Sequence, residues 1–261
     1  MNNRVTFLNA FRLNIKSRIM RSFILLIVMS SIGFVVKAQN IVYDENAEVR
    51  HVEPFTGIEV SGAVSIYLSQ GNTTALAISA GEEKYNDKIK TEVKNGVLHI
   101  SVEGGVWNGF NWTNRKLRAY VTIVNLERLS VSGASYVGIS GTLKSSELTV
   151  DVSGASEAKG IIDVEKLKID ISGASEVKFA GTVHNGSIDA SGASKLNSYD
   201  LSFDKCNVSS SGAASVRITV NGELNADATG GSTVFYKGAG VSKQVNTSGG
   251  ASIKSRSGNQ D

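Results

Sequence analysis

One short phrase, Ser-Gly-Ala-Ser, constrains what this chain can become more than any other feature. Read from Ser132, it recurs as SGASY, SGASE, SGASE, SGASK, SGAAS, TGGST and SGGAS. Its glycines are Gly133, Gly154, Gly173, Gly192, Gly212, Gly230 and Gly249, at intervals of 21, 19, 19, 20, 18 and 19 residues. An outlying copy, Ser61-Gly62-Ala63, stands 71 residues ahead of Gly133. A steady period near twenty marks a stack of similar units, each of which buries its apolar side only against its neighbours.

The flanks of the phrase say what the unit is. Around the third copy, Leu167, Ile169, Ile171, Val177 and Phe179 share one parity, while Lys168, Asp170, Ser172, Glu176 and Lys178 share the other. A period of two is that of a half-buried strand. Gly173 and Ser175 fall on the inward parity, so the strand is expected to continue or bend gently through the phrase. Four residues after each glycine stand Val137, Ala158, Val177, Leu196, Val216, Val234 and Ile253, and two residues after it Ser135, Ser156, Ser175, Ser194, Ala214, Ser232 and Ala251. In successive coils such positions lie about 4.8 Å apart and stack into ladders. Inward hydroxyls in these ladders need partners, since an unpaired one costs about 1–3 kcal/mol. Leucine-rich repeats would require a helix per unit and helical repeats a 3.6-residue period, and neither is present. The expected fold is all-β: a parallel β-helix, or solenoid, of coils about 19–21 residues long, preceded by a β-meander or capping section.

The first 38 residues form a separate compositional block. Residues 1–22 carry Arg4, Arg12, Lys16, Arg18 and Arg21 without an acid, and Phe23–Val36 is an apolar run of 14 residues. That run is shorter than the roughly 20 residues a membrane span needs. Val36-Lys37-Ala38 then places small residues at −3 and −1 before Gln39, the pattern of a secretory signal peptide, with Met1 or Met20 as its start. No cysteine follows the apolar run to take a lipid, and no membrane insertion is expected after the leader is removed. The block holds six of the 27 basic residues and none of the 24 acids, which leaves 21 − 24 = −3 for the rest. The basic balance therefore belongs to the leader, and nucleic acid has no electrostatic support as a partner. The remaining stretch divides into an N-terminal part of the β-domain (39–128), regular repeats (129–253) and a polar tail (254–261). Within the first part, Asn95-Gly96 between two alternating runs predicts a hairpin. The lone Cys206 occupies an inward slot and reads as core.

With these residues laid out, the chain resembles the bacterial family described as the putative auto-transporter adhesin, head GIN domain. The matching features are Phe55–Val60 before Ser61-Gly62-Ala63, the Gln70-Gly71 turn, Val93–Ile100 around Asn95-Gly96, and Leu117–Leu129 leading into Ser132-Gly133-Ala134-Ser135. The resemblance covers about residues 50–255. It implies a right-handed β-helix-like fold in an exported protein, and carries no activity and no site residues.

Three features are candidates for function. Trp107-Asn108-Gly109-Phe110-Asn111-Trp112 holds both tryptophans; Trp107, Phe110 and Trp112 could stack on sugar rings while the amides bond hydroxyls, or could plug an end of the β-helix. Two residues before the motif serines, Asp151, Asp170 and Asp189 form an outward column, readable as Ca²⁺ ligands or as a solvent face relieved by nearby lysines such as Lys159 and Lys178. Catalysis has little support. His51, His99 and His184 lack metal-ligand spacing, and no Gly-x-Ser-x-Gly elbow occurs. The sequence reads as a non-catalytic exported envelope protein of periplasm, outer surface or medium, needing no cofactor and contacting a glycan or an envelope protein. The alternatives are a polysaccharide lyase or hydrolase working along a β-helix groove, where paired carboxylates leave no local signature, and a purely structural module.

Overall fold

The structure, a computed structural model, describes residues 44–103 and 116–256. The leader, Trp107, Phe110, Trp112 and residues 257–261 lie outside the described residues. The sixteen strands are β1 (Glu48–Arg50), β2 (Gly57–Val60), β3 (Ser65–Gln70), β4 (Ala75–Ser79), β5 (Ile89–Lys94), β6 (Val97–Val102), β7 (Arg118–Ile123) and β8 (Arg128–Val131), then β9 (Tyr136–Val152), β10 (Glu157–Ile171), β11 (Glu176–Ala190), β12 (Lys195–Ser210), β13 (Ser215–Ala228), β14 (Thr233–Lys237), β15 (Val241–Thr247) and β16 (Ser252–Ser255). They form a β-solenoid of about seven turns.

From β9 to β13 each coil is one long bent strand lying parallel to, and in register with, the next. Glu176 faces Glu157, Ile169 faces Ile188 and Asp170 faces Asp189 across neighbouring coils. The inward ladders follow the parity of the sequence. One runs Leu98, Ile58, Leu129, Val150, Ile169, Ile188, Val208, Ala226, every member buried. The serine ladder is also inward, with Ser135, Ser156, Ser175, Ser194 and Ser232 buried. Ser232 Oγ donates to Ser210 O at 3.1 Å, and Ser156 Oγ accepts from the Ser135 N–H at 3.3 Å. The hydroxyls of Ser135 and Ser175 have no partner. Cys206 is buried, and burial pushes its thiol far above the ordinary range. Opposite it, Gly186 lacks a side chain, and the fully buried Phe203 ring fills that space.

The phrase itself is a corner, a sharper turn than the continuing or gently bending strand expected from parity. Gly173 has φ of +71°, is exposed, and turns the chain between two faces of the coil. Its carbonyl accepts the Ala193 N–H at 2.8 Å, and a Cβ on Gly192 would stand 2.9 Å from that same oxygen. Positive φ together with the close approach of the next corner leaves room for glycine alone.

The N-terminal region is threaded out of chain order. β2 pairs in parallel with both β6 and β8, and β3 with both β7 and β9. Coil β2–β3 is therefore wedged between coil β6–β7 and the first regular coil. Gln70, at the end of β3, fastens the wedge: its side chain donates to Val124 O (3.0 Å) and Lys144 O (2.9 Å) and accepts from the Lys144 N–H (2.8 Å). β5 turns into β6 at Asn95-Gly96, both at positive φ, making the expected hairpin.

Beyond β6–β7 the stack is closed by antiparallel strands, β5 on one face, β4 and β1 on another, with the short 3-10 helix Glu83–Lys88 between them. Polar groups stitch this cap. Buried Asn86 accepts the Ala80 N–H at 2.8 Å and donates to Asn46 O at 2.9 Å, while Arg50 reaches Ile89 O at 2.8 Å. At the far end, β16 takes in Lys254 and Ser255, so the last strand runs past the expected start of the tail.

Candidate functional site

Stacking turns each outward slot of the repeat into a column, and the two faces joined by the SGAS corner carry opposite characters. On the face before the corner, successive partners are His99, Glu59, Ser130, Asp151, Asp170, Asp189, Ser209, Asp227 and Asn246. Asp151, Asp170 and Asp189 do form a column. They stand as one carboxylate per coil in a ladder, and among the described residues no group of three or more His, Cys, Asp or Glu is placed to hold a metal ion. Burial, with the neighbouring Asp170 charge, raises the Asp151 carboxyl above its ordinary range.

The relief of this column differs from expectation. Lys159 and Lys178 stand past the corner on the other face. Lys178 meets Glu176 at 2.9 Å and Glu157 at 3.6 Å, and Lys159 stands over the Tyr136 ring. Asp170 is met instead by Lys168 of its own strand, at 2.8 Å. The corner separates two slots that are near in sequence.

On the face after the corner one outward column runs Tyr120, Tyr67, Gly138, Lys159, Lys178, then Asn197, Arg217, Phe235 and Lys254. The Tyr67 and Tyr120 rings stack, with centroids 5.4 Å apart and planes 19° from parallel. Tyr136, one column over, packs edge-on to Tyr67 at 6.3 Å. It can do so because the slot beside it is Gly138: a Cβ there would lie 2.7 Å from the Tyr136 hydroxyl. Lys159 Nζ is 5.0 Å from the Tyr136 centroid and completes the row. Three rings and a cation thus form one strip on a rigid wall, with Tyr67 40% exposed.

The strip is held from the cap. Tyr120 Oη donates to Asp44 Oδ2 at 2.8 Å, and Arg118 Nη1 donates to the same oxygen at 3.0 Å. Burial, then this bond and the Asp44 charge, push the Tyr120 hydroxyl up to about 12. Burial alone would raise the Asp44 carboxyl, but bonds from Tyr120, Ser79, the Asn46 N–H and Arg118 hold it below its ordinary range.

Sequence reading missed the tyrosines. Tyr67 stands five residues after Gly62, the slot that yields Lys159 and Lys178, so carrying the slot back to the outlying copy finds it. Tyr120 has no such signal, because its coil lacks the phrase. Between Val102 of β6 and Arg118 of β7 the sequence has no Ser-Gly-Ala. Ser61-Gly62-Ala63 connects β2 to β3 at the corresponding place in the adjacent coil.

A third face carries two polar clefts. One, of about 410 Å³, is lined by Glu127, Glu147, Arg128 and Asn95 among others. The other, of about 380 Å³, includes His184, Asp163 and Glu165. His184 Nδ1 lies 2.6 Å from Asp204 Oδ2, and that bond, with the Glu165 charge, raises the imidazole pKa. Neither cleft is lined by Tyr, Trp or Phe.

Comparison with known proteins finds a family and solved structures of like fold. The profile of the family described as putative auto-transporter adhesin, head GIN domain, matches residues 54–240. A crystal structure of a putative adhesin from Bacteroides fragilis NCTC 9343 is 21% identical, covers 80% of this chain and 96% of its own, and superposes with a TM-score of 0.73. A putative lipid binding protein from Parabacteroides distasonis ATCC 8503 is 20% identical over 82% and 98%, with a TM-score of 0.61. A putative adhesin from Parabacteroides merdae ATCC 43184 is 18% identical over 80% and 95%, with a TM-score of 0.62. No curated protein matches the sequence.

Proposed function

The chain belongs to the family of the putative auto-transporter adhesin, head GIN domain, and from that premise we propose that it is a non-catalytic, exported binding module of the cell envelope that holds glycans on its tyrosine strip. The observation that carries this reading is the row of Tyr120, Tyr67 and Tyr136 continued by Lys159. Flat apolar rings on a fixed wall accept the CH faces of sugars, and the hydroxyls of Tyr67 and Tyr136 bond to theirs. Lys159 and Lys178 beyond the rings favour saccharides that carry carboxylate or sulfate. A rigid strand wall holds such contacts without ordering a loop at each binding event, which keeps the entropic cost of association low. The buried Cys206 thiol, kept protonated by burial, is unsuited to attack on a substrate.

The test is retention of the purified protein on a panel of neutral and acidic polysaccharides, with chain ends counted at the same time. Tyr67→Ala and Tyr136→Ala are each expected to weaken retention about five- to tenfold, from roughly 1 kcal/mol per ring, with no new reducing or unsaturated ends. Retention unchanged in both variants sinks the strip as the binding site. New chain ends would sink the non-catalytic reading and direct attention to Glu127 and Glu147.

A further inference from the structure

The face that carries the tyrosine strip changes character along the solenoid. In its middle coils the charged residues of segments 157–162 and 176–181 balance: Glu157, Lys159, Glu176 and Lys178, with Lys178 meeting both acids. Over the next four coils the balance is gone. Segments 195–202, 215–220, 233–237 and 252–256 stack on one another on this face. They hold five bases, Lys195, Arg217, Lys237, Lys254 and Arg256, against one acid, Asp200, or 5 − 1 = +4. Residues 257–261 contain one acidic side chain, Asp261, so the count stays positive with them included. The excess is local, since residues 39–261 sum to 21 − 24 = −3.

These cations gather on rings rather than on acids. On β15 Lys243 meets Glu223 at 2.8 Å, whereas none of the five bases has an acid partner among the described residues. The Arg217 and Arg256 guanidiniums stand 5.7 and 4.7 Å from the Phe235 centroid, and Lys237 Nζ stands 4.6 Å from that of Tyr199. Lys254 faces Phe235 across the strand pair. Arg256 is held in place by its backbone, whose N–H donates to Tyr236 O at 2.8 Å. Like charges gathered at strand spacing oppose one another, and a chain of anionic groups laid over them relieves them together.

We propose that this wall binds an acidic polysaccharide lengthwise, its sugar rings on the tyrosine strip and its carboxylate or sulfate groups on the Arg217–Phe235–Arg256 cluster. The proposal rests on the strip being a glycan site, and it adds a second contact and a direction to that site. Arg217 and Phe235 occupy the outward column that begins with Tyr120 and Tyr67, so both contacts lie on one line along the stack. Five strand spacings separate Tyr67 from Arg217, about 24 Å at about 4.8 Å each. An extended polymer crosses that distance and a disaccharide does not. Guanidiniums present paired donors to oxyanions such as carboxylate, and the ring between them takes the CH groups of the same sugars. With both contacts on one rigid wall the second becomes intramolecular, so a long chain binds far more tightly than a fragment.

The experiment measures the affinity of the purified protein for long-chain heparin and for heparin disaccharides across salt. Expected is long-chain binding that weakens steeply as salt rises, with a disaccharide affinity lower by at least about a hundredfold. Arg217→Gln with Arg256→Gln should weaken long-chain binding at least about tenfold and flatten its salt dependence. Lys237→Gln with Lys254→Gln should do the same, and both lysines are exposed, so this pair tests the cluster without touching the packed wall. Tyr67→Ala with Tyr136→Ala should weaken long-chain binding at least about tenfold and keep the salt dependence. Thermal melts matching the parent confirm that the variants are folded. Long-chain binding that survives both cation pairs but is lost with the tyrosines overturns the inference and leaves the strip standing as the glycan site. Loss with the cation pairs and none with the tyrosines overturns it from the other side, because the cluster then acts alone and the strip holds no glycan. Equal affinity for the long chain and the disaccharide also overturns it. So does binding of duplex DNA or of phosphatidylserine-containing vesicles as tight as that of heparin and equally dependent on Arg217 and Arg256, which makes the cluster a surface for polyanions in general or for a membrane.

Discussion

The two ends of the solenoid solve one problem in different ways. At the cap, the final apolar layer is sealed by antiparallel strands and a helical turn whose polar groups are paired inward: Asn86 to Ala80 and Asn46, Arg50 to Ile89, Asp44 to Tyr120 and Arg118. At the other end the last coil stops with Val241 and Val245 exposed, and the side chains of β15 bond back to the preceding chain, Ser242 Oγ to Tyr236 Oη at 2.8 Å, Asn246 Nδ2 to Asp227 Oδ1 at 2.7 Å and Lys243 Nζ to Glu223 at 2.8 Å, rather than across the end. A stack of equal coils needs a terminator, because every coil is otherwise a template for another. The difference teaches that the cap end is terminated by residues outside the repeat, whereas among the described residues the other end stops on the repeat itself.

Perturbations of stability rank accordingly. Phe203→Ala, in the middle of the stack, sets the scale: it empties the space beside Gly186 and should cost about 3–5 kcal/mol in denaturant unfolding. Asn86→Ala should cost about 2–4 kcal/mol, because the Ala80 N–H and the Asn46 carbonyl lose their partner in a buried place. A cost near zero would show that the cap is dispensable and erase the contrast between the ends.

The Asp44 contribution is expected to show in acid. Its folded pKa lies below the ordinary 3.8, so its stabilisation is complete above that value and is lost as the pH falls through the folded pKa. Asp44→Asn should therefore flatten the acid limb of the stability profile and release the Tyr120 hydroxyl to titrate below its raised value, which a spectrophotometric titration reads. Smallest is Val245→Ala, expected to change stability by less than about 0.5 kcal/mol because the side chain is 44% exposed. Hydrogen exchange should match this order, with amides of β15 and β16 exchanging well before those of β4 and β6.

Much of this was legible in the sequence where the cause is local and periodic. The inward ladders from Leu167 to Ile171 and from Val177 to Phe179 follow from alternation alone, and the Asn95-Gly96 hairpin from its turn chemistry. The corner was hidden for a geometrical reason. Ile171 and Ser175 both point inward whether residues 172–174 run straight or turn, so parity is blind to the bend, and only the positive φ of Gly173 distinguishes the two. The aspartate column was legible, but its separation from Lys159 and Lys178 depends on that bend. The tyrosine strip was half legible: Tyr67 shares a slot with the lysines, whereas Tyr120 enters through a coil that lacks the phrase. The wedging of β2–β3 leaves no local trace, since parallel pairing of distant segments is set by tertiary packing.

That wedge also fixes an order of events. Each regular coil docks on chain about twenty residues away, a short loop with a small closure cost, so the stack from Ser132 onward can zip up by local steps. Coil β2–β3 has no such neighbour. It waits for Val97–Ile123 on one side and Arg128–Val152 on the other, and Gln70 finds the backbone of Lys144, 74 positions further along the chain. During synthesis the segment made early is thus among the last to find its place, and the sealed end becomes a kinetic gate that closes over a solenoid already growing from the other side.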